Sequence, residues 1–220
     1  LETILADAAP ELVLFNSGGP EVIRAVVAPD RCIDLDAVRD AVAATAPLPA
    51  PLAEPDDPAY LLYTSGSSGV PKGVINTHAG IVNRILWAQG TDPLHTTDRL
   101  LQKTPDSFDV SVWELFWPLV AGSVLVLARP DGERDPTYLA DLIQREEITH
   151  VHFVPSMLDA FLREPRAAHC RTLIRVICSG EELPEALQHR FFQVFPDCEL
   201  YNLYGPTEAA VEVTAWRCRR

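Results

Sequence analysis

The sequence predicts an α/β fold with a predominantly parallel sheet and helices on both of its faces. Through most of residues 100–220, short apolar runs of strand length alternate with segments whose apolar residues recur at helical spacing. This alternation is typical of a parallel sheet that is covered on both faces. With 220 residues, 47% of them hydrophobic and 22% charged, the chain can bury one sizeable core.

Residues 1–58 are predicted to form an N-terminal portion of short elements. Helical spacing opens the chain, an apolar run at 12–15 predicts a strand, and residues 37–44 again have helical spacing. Prolines and acidic residues then dominate residues 47–58, which predicts an irregular connector.

Residues 59–220 are predicted to form the core subdomain. The predicted strands cover residues 59–63, 74–76, 100–101, 124–127, 151–154, 173–178 and 199–203. The predicted helices cover residues 79–89, 108–116, 137–146, 157–163 and 185–195, and Asp135 followed by Pro136 is a preferred helix start. Because ligands bind beyond the carboxyl ends of parallel strands, the polar segments that follow these strands predict a single cleft.

The most distinctive of these segments is the loop at residues 64–73, which follows an apolar run that predicts a buried strand. Glycine lets the backbone approach a ligand closely, backbone N–H groups bind anions, and the serine hydroxyls and one lysine add donors. The pattern predicts a phosphate-binding loop. It is not a Walker A loop, because Lys72 lies between Pro71 and Gly73. A flexible glycine and serine linker is the alternative interpretation.

A second polar segment, residues 202–208, follows the last predicted strand. The ring of Tyr204 can stack on a base, the Thr207 hydroxyl can donate to a phosphate oxygen, and the Glu208 carboxylate can bind Mg²⁺. Taken alone, the Gly205–Pro206 pair predicts only a turn.

Charge and composition exclude several classes of protein. The formal net charge of −13 argues against nucleic acid as a partner, because a phosphate backbone requires a basic surface. The five cysteines are widely spaced, which predicts free thiols rather than disulfides or zinc ligands. No apolar run reaches membrane-spanning length and no signal peptide opens the sequence, so we expect a cytoplasmic protein with no membrane partner.

Three motifs together resemble the adenylate-forming enzyme superfamily, and specifically the adenylation domains of non-ribosomal peptide synthetases. They are LYTSGSSGVPKG at residues 62–73, FDVSVWE at residues 108–114 and NLYGPTE at residues 202–208. The first and third are shared across the superfamily, which includes acyl-CoA synthetases and luciferases. The second is more specific to the amino-acid branch. The resemblance covers essentially the whole chain.

This resemblance implies an enzyme that joins an amino acid carboxylate to the α-phosphate of ATP with the help of Mg²⁺. The acyl group would then pass to the phosphopantetheine thiol of a carrier protein, with neighbouring synthetase domains as further partners. Thr207, Glu208 and Lys72 would take part in catalysis, with Glu208 as the Mg²⁺ ligand. The implied ATP-binding residues are Thr64, Ser65, Gly66, Ser67, Ser68, Gly69, Lys72, Gly180, Asn202, Tyr204, Gly205 and Thr207.

Alignment on the three motifs also implies the lining of an amino-acid pocket. The implied residues are Asp109, Val110, Trp113, His152, Ile177, Ser179, Leu203, Val211 and Glu212. Asp109 would bind the substrate ammonium group. The set resembles that of serine-activating domains, which usually have Asp at the position of Glu212. His152, Ser179 and Glu212 could bind one hydroxyl group, so we expect serine to be preferred over alanine.

Simpler interpretations of single residues stay open at this point. Asp109 is also a preferred helix N-cap, and His152 on an apolar strand is also compatible with an ordinary core histidine. Ile177, Leu203 and Val211 are common residues of any sheet.

Family members continue beyond the position of Arg220 with a ribose-binding aspartate and a small C-terminal domain that carries a catalytic lysine. We therefore expect an incomplete segment that lacks this domain and is a poor catalyst by itself. Two rival functions are a non-catalytic module that binds amino acid and ATP, and a relative of the acyl-CoA synthetases. Asp109 argues against the second, because an acyl substrate offers it no cation.

Overall fold

The computed structural model describes residues 1–16, 21–44, 53–65 and 69–220. Its helices are α1 (Glu2–Ala8), α2 (Glu21–Val26), α3 (Leu35–Ala44), α4 (His78–Thr91), α5 (Val110–Ala121), α6 (Pro136–Arg145), α7 (Pro155–Arg163) and α8 (Glu185–Val194). Its strands are β1 (Val13–Phe15), β2 (Cys32–Asp34), β3 (Pro58–Thr64), β4 (Lys72–Thr77), β5 (Arg99–Gln102), β6 (Val124–Leu127), β7 (His150–Phe153), β8 (Arg175–Cys178), β9 (Glu199–Tyr204) and β10 (Thr214–Arg217).

The main sheet has six strands in the order β10-β9-β8-β7-β5-β6. Its first five strands in the chain, β5 to β9, pair in parallel, with Val151 opposite Val176 and Val176 opposite Leu200. At one edge, β10 pairs antiparallel with β9. The predicted α/β class with a predominantly parallel sheet is confirmed, and the carboxyl ends of five strands lie at the same edge of that sheet.

Both faces of the main sheet are buried. The neighbours Leu100 and Leu101 belong to different hydrophobic clusters, as do Val176 and Ile177, because consecutive side chains of a strand point to opposite faces. One cluster contains side chains of α6, α7 and α8, and the other contains side chains of α4 and α5. The continuous apolar character of β8 follows from this double burial.

The strand before the predicted phosphate-binding loop does not belong to the main sheet. β3 and β4 form a separate two-stranded antiparallel sheet, in which Thr64 lies opposite Lys72. The expectation of a buried strand at this place was wrong, because β3 is only half-buried and Leu61 is exposed. An apolar run predicts a strand, but it does not show whether that strand joins the main sheet or pairs with the next strand in the chain.

Local sequence signals explain the ends of the helices that flank the cleft. Asp135 accepts a hydrogen bond from the backbone N–H of Tyr138 at 3.0 Å, and Pro136 occupies the first turn, which confirms the predicted start of α6. α5 spans Val110–Ala121, and the Gly122 that caps its end has a φ of 69°, a left-handed conformation that glycine adopts without strain.

The cysteines are free thiols, as the sequence predicted. Four of the five are buried, and burial raises the pKa of Cys170 and of Cys198 to about 12, so these thiols stay protonated at neutral pH. In the described ranges, none of the helices has both the length and the apolar character needed to cross a bilayer.

Candidate active site

A cleft of about 600 Å³ lies at the carboxyl ends of β7 and β8, beside the start of α5. Its lining includes five residues that the sequence singled out, namely Asp109, Val110, His152, Ser179 and Gly180. These residues come from three segments that are far apart in the chain. They meet because parallel strands end at a common edge of the sheet, where the loops that follow them face one another.

Asp109 lies at the entrance of α5 with its backbone already helical, and its side chain makes no capping hydrogen bond to the helix. The N-cap interpretation of Asp109 therefore finds no support. Burial raises the pKa of the Asp109 carboxyl, a hydrogen bond from Thr207 opposes the rise, and the charge of Glu208 adds to it. The second and third motifs thus meet at this carboxylate.

His152 and Ser179 form a buried polar pair on the wall of the cleft. The imidazole Nε2 lies 2.9 Å from the Ser179 hydroxyl, and both residues are about 3% exposed. Burial, together with the nearby charge of Lys103, lowers the pKa of His152 well below its usual value, so the ring is neutral. A neutral imidazole and a hydroxyl can each donate or accept a hydrogen bond, which suits a hydroxyl-bearing ligand.

Glu212 lies behind Trp113 and is paired with an arginine that the sequence analysis did not consider. Its Oε2 accepts a hydrogen bond from Arg84 Nε at 2.6 Å, and its Oε1 accepts one from Trp113 Nε1 at 3.1 Å. The side chains of Arg84 and Glu212 are 5% and 3% exposed, so this is a buried ion pair. Trp113 also packs edge-on against His152, with ring centroids 6.0 Å apart.

The remaining residues of the implied pocket are apolar and lie in one hydrophobic cluster with Trp113. They are Val110, Ile177, Leu203 and Val211. Each is less than about one-tenth exposed. Val110 also lines the cleft, whereas Ile177, Leu203 and Val211 are absent from its lining and serve the core of the sheet.

The third motif continues from the end of β9 into a short 3₁₀ turn at Thr207–Ala209. Asn76 of β4 holds this turn from the other side, since its amide donates to the Thr207 carbonyl at 2.9 Å and its oxygen accepts from Ala210 N–H at 3.1 Å. Tyr204 is 69% exposed, which leaves one face of its ring open to a ligand. These hydrogen bonds join the third motif directly to β4 of the hairpin that carries the first motif.

Part of the predicted phosphate-binding loop can be placed. Thr64 and Lys72 lie opposite each other at the loop end of the β3–β4 hairpin, and Lys72 is exposed. Gly69 has a φ of 79°, a conformation that favours glycine. Three of the implied phosphate-binding residues, Gly66, Ser67 and Ser68, lie outside the described residues.

Comparison with known proteins identifies the family. The family model described as AMP-binding enzyme matches residues 1–220, which is the whole chain. The chain belongs to the AMP-binding enzyme family. The predicted membership of the adenylate-forming enzymes is therefore confirmed, and the chain is related to adenylate-forming ligases.

This AMP-binding enzyme chain is similar to parts of several large synthetases. It is 57% identical over 165 residues to phosphinothricin tripeptide synthetase PhsB of Streptomyces viridochromogenes, covering 75% of the chain and 14% of that protein. It is 50% identical over 170 residues to enterobactin synthase component F of Escherichia coli, covering 76% of the chain and 13% of that protein. It is 44% identical over 220 residues to vanchrobactin synthetase VabF of Vibrio anguillarum, covering 97% of the chain and 8% of that protein. The chain thus spans less than one-sixth of the length of these relatives.

Solved structures show the same fold. The AMPPNP-bound form of the nonribosomal peptide synthetase FmoA3 is 29% identical with a TM-score of 0.86, over 97% of this chain and 23% of that one. VinN is 25% identical with a TM-score of 0.83, over 97% of this chain and 54% of that one.

Three polar side chains around the cleft of this AMP-binding enzyme were missed by the sequence analysis. Arg84 lies in the buried stripe of α4 with Ile81 and Ile85, and an arginine inside an apolar helical stripe is the signal that could have found it. Glu114 ends the second motif and is fully buried. The hydroxyl of Tyr60 on β3 is buried with no hydrogen-bond partner among the described residues. Burial, followed by the charges of Asp109 and Glu212, raises the pKa of Tyr60 to about 12.

Glycine is required at position 205 because the backbone of residues 211–213 lies very close to it. A Cβ at this position would lie 2.5 Å from the Cα of Glu212 and 2.7 Å from the carbonyl oxygen of Val211. We expect Gly205→Ala to lower the free energy of unfolding by about 2 kcal/mol, because the added methyl group must displace the segment that carries Glu212. Urea unfolding followed by tryptophan fluorescence measures the change.

The matched control for this substitution is Gly90→Ala. Gly90 lies in α4, where a Cβ would meet nothing within 4 Å. Alanine at this helical position is expected to stabilise the protein by about 0.5 to 1 kcal/mol. Equal stability of the Gly205→Ala and wild-type proteins would contradict the close approach.

Proposed function

We propose that this chain is the nucleotide- and amino-acid-binding part of a non-ribosomal peptide synthetase adenylation domain that activates L-serine. The reaction joins the serine carboxylate to the α-phosphate of ATP, giving seryl-AMP and pyrophosphate. The acyl group then passes to the phosphopantetheine thiol of a carrier protein. The observation that carries the proposal is the half-buried Asp109 carboxylate, which lines the same cleft as His152 and Ser179 and whose pKa is influenced by Thr207 of the third motif.

The role proposed for Asp109 follows from its surroundings. A carboxylate that is partly removed from water is stabilised when a cation binds to it, so the α-ammonium group of an amino acid is a suitable partner. Through its contact with Thr207, the same carboxylate would place the substrate carboxyl group near the α-phosphate. Positioning of this kind supplies a large part of the catalysis of a displacement between two bound reactants.

ATP is proposed to bind along the carboxyl edge of the sheet. The exposed ring of Tyr204 would stack on adenine, with Gly180, Asn202 and Gly205 beside it, and Thr207 would donate to the α-phosphate. The loop from Thr64 to Lys72 would cover the β- and γ-phosphates, with the Lys72 ammonium as a cationic donor.

Mg²⁺ fits the residues at this site as an ion bound together with ATP. No cluster of three or more His, Cys, Asp or Glu side chains that could hold a metal ion occurs in the described part of the chain. Glu208 is an exposed single carboxylate beside Thr207, and Mg²⁺ is usually held by one or two carboxylates plus phosphate oxygens and waters. When bound there, Mg²⁺ would neutralise negative charge on the phosphates.

The preference for serine rests on the His152–Ser179 pair. The two groups lie in the lining of the same cleft as Asp109 and present hydrogen-bonding atoms that are otherwise buried. A site built to bind a hydroxyl rejects an analogue without it, because the buried polar groups then lose their partner. The α-methyl-L-serine-AMP complex of FmoA3, a structure 28% identical to the chain, supports a serine-type ligand for this arrangement.

Amino-acid-dependent exchange of labelled pyrophosphate into ATP tests the proposal on the complete protein that contains this chain. We expect serine to be used with a kcat/KM about 100-fold above that of alanine, with threonine as a test of pocket size. Ser179→Ala is expected to remove most of this discrimination, because it deletes one of the two hydroxyl-binding groups.

Three results would contradict the proposal in different ways. Higher exchange with alanine or a large apolar amino acid would refute the serine pocket. Exchange that depends on an acyl substrate without an amino group would favour an acyl-CoA synthetase. Binding of ATP without exchange in the presence of any amino acid would favour a non-catalytic binding module.

A further inference from the structure

Arg84 and Glu212 form a buried ion pair behind the cleft, and Arg84 is not among the implied pocket residues. Arg84 and Glu212 are joined by a 2.6 Å hydrogen bond between Nε and Oε2, although they lie 128 residues apart in the chain. The Arg84 guanidinium also lies over the rings of Trp87 and Trp113, at 5.3 and 5.7 Å from their centroids. The rings of Trp87 and Trp113 and the Glu212 carboxylate thus lie around the guanidinium of Arg84, which is in the middle of α4.

The charges of Arg84 and Asp109 both act on the Glu212 carboxylate. Burial raises the pKa of Glu212, and Arg84 is the strongest influence that opposes the rise, while the charge of Asp109 adds to it. Asp109 and Glu212 also act together on the hydroxyl of Tyr60. Trp113 connects this ion pair to the wall of the cleft, because its Nε1 donates to Glu212 and its ring packs edge-on against His152. Arg84 neutralises the Glu212 carboxylate.

We propose that Arg84 is a specificity-determining residue, which neutralises Glu212 so that the pocket accepts a neutral side chain and rejects a cationic one. This inference rests on the proposed function, since it concerns the amino-acid pocket of that function. The two carboxylate oxygens of Glu212 are engaged by Arg84 and Trp113.

The preference for a neutral side chain over a cationic one follows from the balance of charges in a buried site. The α-ammonium group of the substrate uses Asp109, and Arg84 already uses Glu212. A second ammonium on the substrate side chain would be buried without a partner, which is strongly unfavourable. If the Arg84 charge is removed, Glu212 becomes free to pair with that ammonium. If the Glu212 charge is removed instead, Arg84 becomes free to pair with a carboxylate.

The test uses two substitutions with opposite expected gains, measured by pyrophosphate exchange on the complete protein. For Arg84→Gln, the ratio of kcat/KM for L-2,3-diaminopropionate to that for L-serine is expected to rise about tenfold or more. L-2,4-diaminobutyrate against L-homoserine gives the same comparison for a longer side chain. For Glu212→Gln, the ratio for L-aspartate to L-serine is expected to rise by a similar factor.

Two further variants serve as controls. Arg84→Lys keeps a cation and is expected to leave diaminopropionate rejected. The double variant Arg84→Gln with Glu212→Gln has no charge to offer, so it is expected to gain neither substrate. If either single variant fails to fold, the opposite gain in the other variant still tests the proposal.

The outcomes separate this inference from the proposed function. Loss of serine exchange in both single variants with no new substrate would mean that the pair is only structural and would overturn the inference. Equal gains of diaminopropionate in Arg84→Gln and Arg84→Lys would also overturn it, because charge would then not be the cause. If the wild-type protein shows no exchange with any amino acid, the proposed function fails and the inference fails with it.

Discussion

Replacing Asp109 with alanine is expected to lower kcat/KM for amino-acid-dependent pyrophosphate exchange by about 100- to 1,000-fold. The substrate ammonium group would enter a partly buried site without its counter-charge, and loss of one partner of such a pair costs about 3 to 4 kcal/mol. The binding of ATP is expected to change little, because Asp109 is proposed to contact the amino acid. Exchange assays and calorimetric titration with a non-hydrolysable ATP analogue measure the two quantities.

Asp106→Ala is the matched control, because Asp106 is an exposed aspartate three residues earlier in the same loop. Its removal is expected to leave exchange close to that of the wild type. Asp109→Asn keeps the shape of the side chain without its charge, and we expect it to lose activity almost as strongly as the alanine variant. Full activity of Asp109→Asn would refute the role of the carboxylate as the partner of the ammonium group.

Replacing Glu114 with alanine is expected to lower the free energy of unfolding by about 3 to 5 kcal/mol. Glu114 is 0% exposed and accepts hydrogen bonds from the N–H groups of Lys103 and Thr104 and from the Thr104 hydroxyl. Burial raises the pKa of Glu114, and the charge of Lys103 is the strongest opposing influence. Without Glu114, the buried ammonium of Lys103 loses the stronger of the two carboxylate charges that act on it, and three donors lose their acceptor.

Urea unfolding of three variants separates the charge from the hydrogen bonds. Glu114→Gln keeps an acceptor and loses the charge, so we expect a smaller loss of about 1 to 3 kcal/mol. Adding Lys103→Met to Glu114→Gln is expected to restore part of that loss, because the unpaired cation is gone. Glu185→Ala, on the exposed first turn of α8, is expected to change stability by less than about 0.5 kcal/mol. A wild-type stability for Glu114→Ala would contradict the proposed pairing.

Much of the site was predictable because it is made of residues that follow strands. His152, Ser179 and Asp109 could be assigned to one cleft from strand alternation alone, since parallel strands end at one edge. The assignment of β3 failed for the opposite reason. Its apolar run was correctly identified as a strand, but the run does not show that this strand pairs with β4 in a sheet separate from the main one.

The polar pairs behind the cleft could not be read from local patterns. In the sequence, Arg84 is a single charged residue within α4. Its role in a buried ion pair depends on Glu212, which comes from a distant segment of the chain. Burial, followed by the charges of Asp109 and Glu212 from distant segments, likewise raises the pKa of the Tyr60 hydroxyl. These effects involve residues whose separation in sequence carries no periodic signal.

By itself, the sequence determined the fold class, the start of α6, the free cysteines and the family, because these depend on local periodicity, on capping chemistry or on short motifs. Only the tertiary structure decided which charges share a buried space. The reason is physical: desolvation and pairing of a charge depend on what packs around it in three dimensions. The contact of Asp109 with Thr207 and the neutralisation of Glu212 by Arg84 are the two cases that matter here.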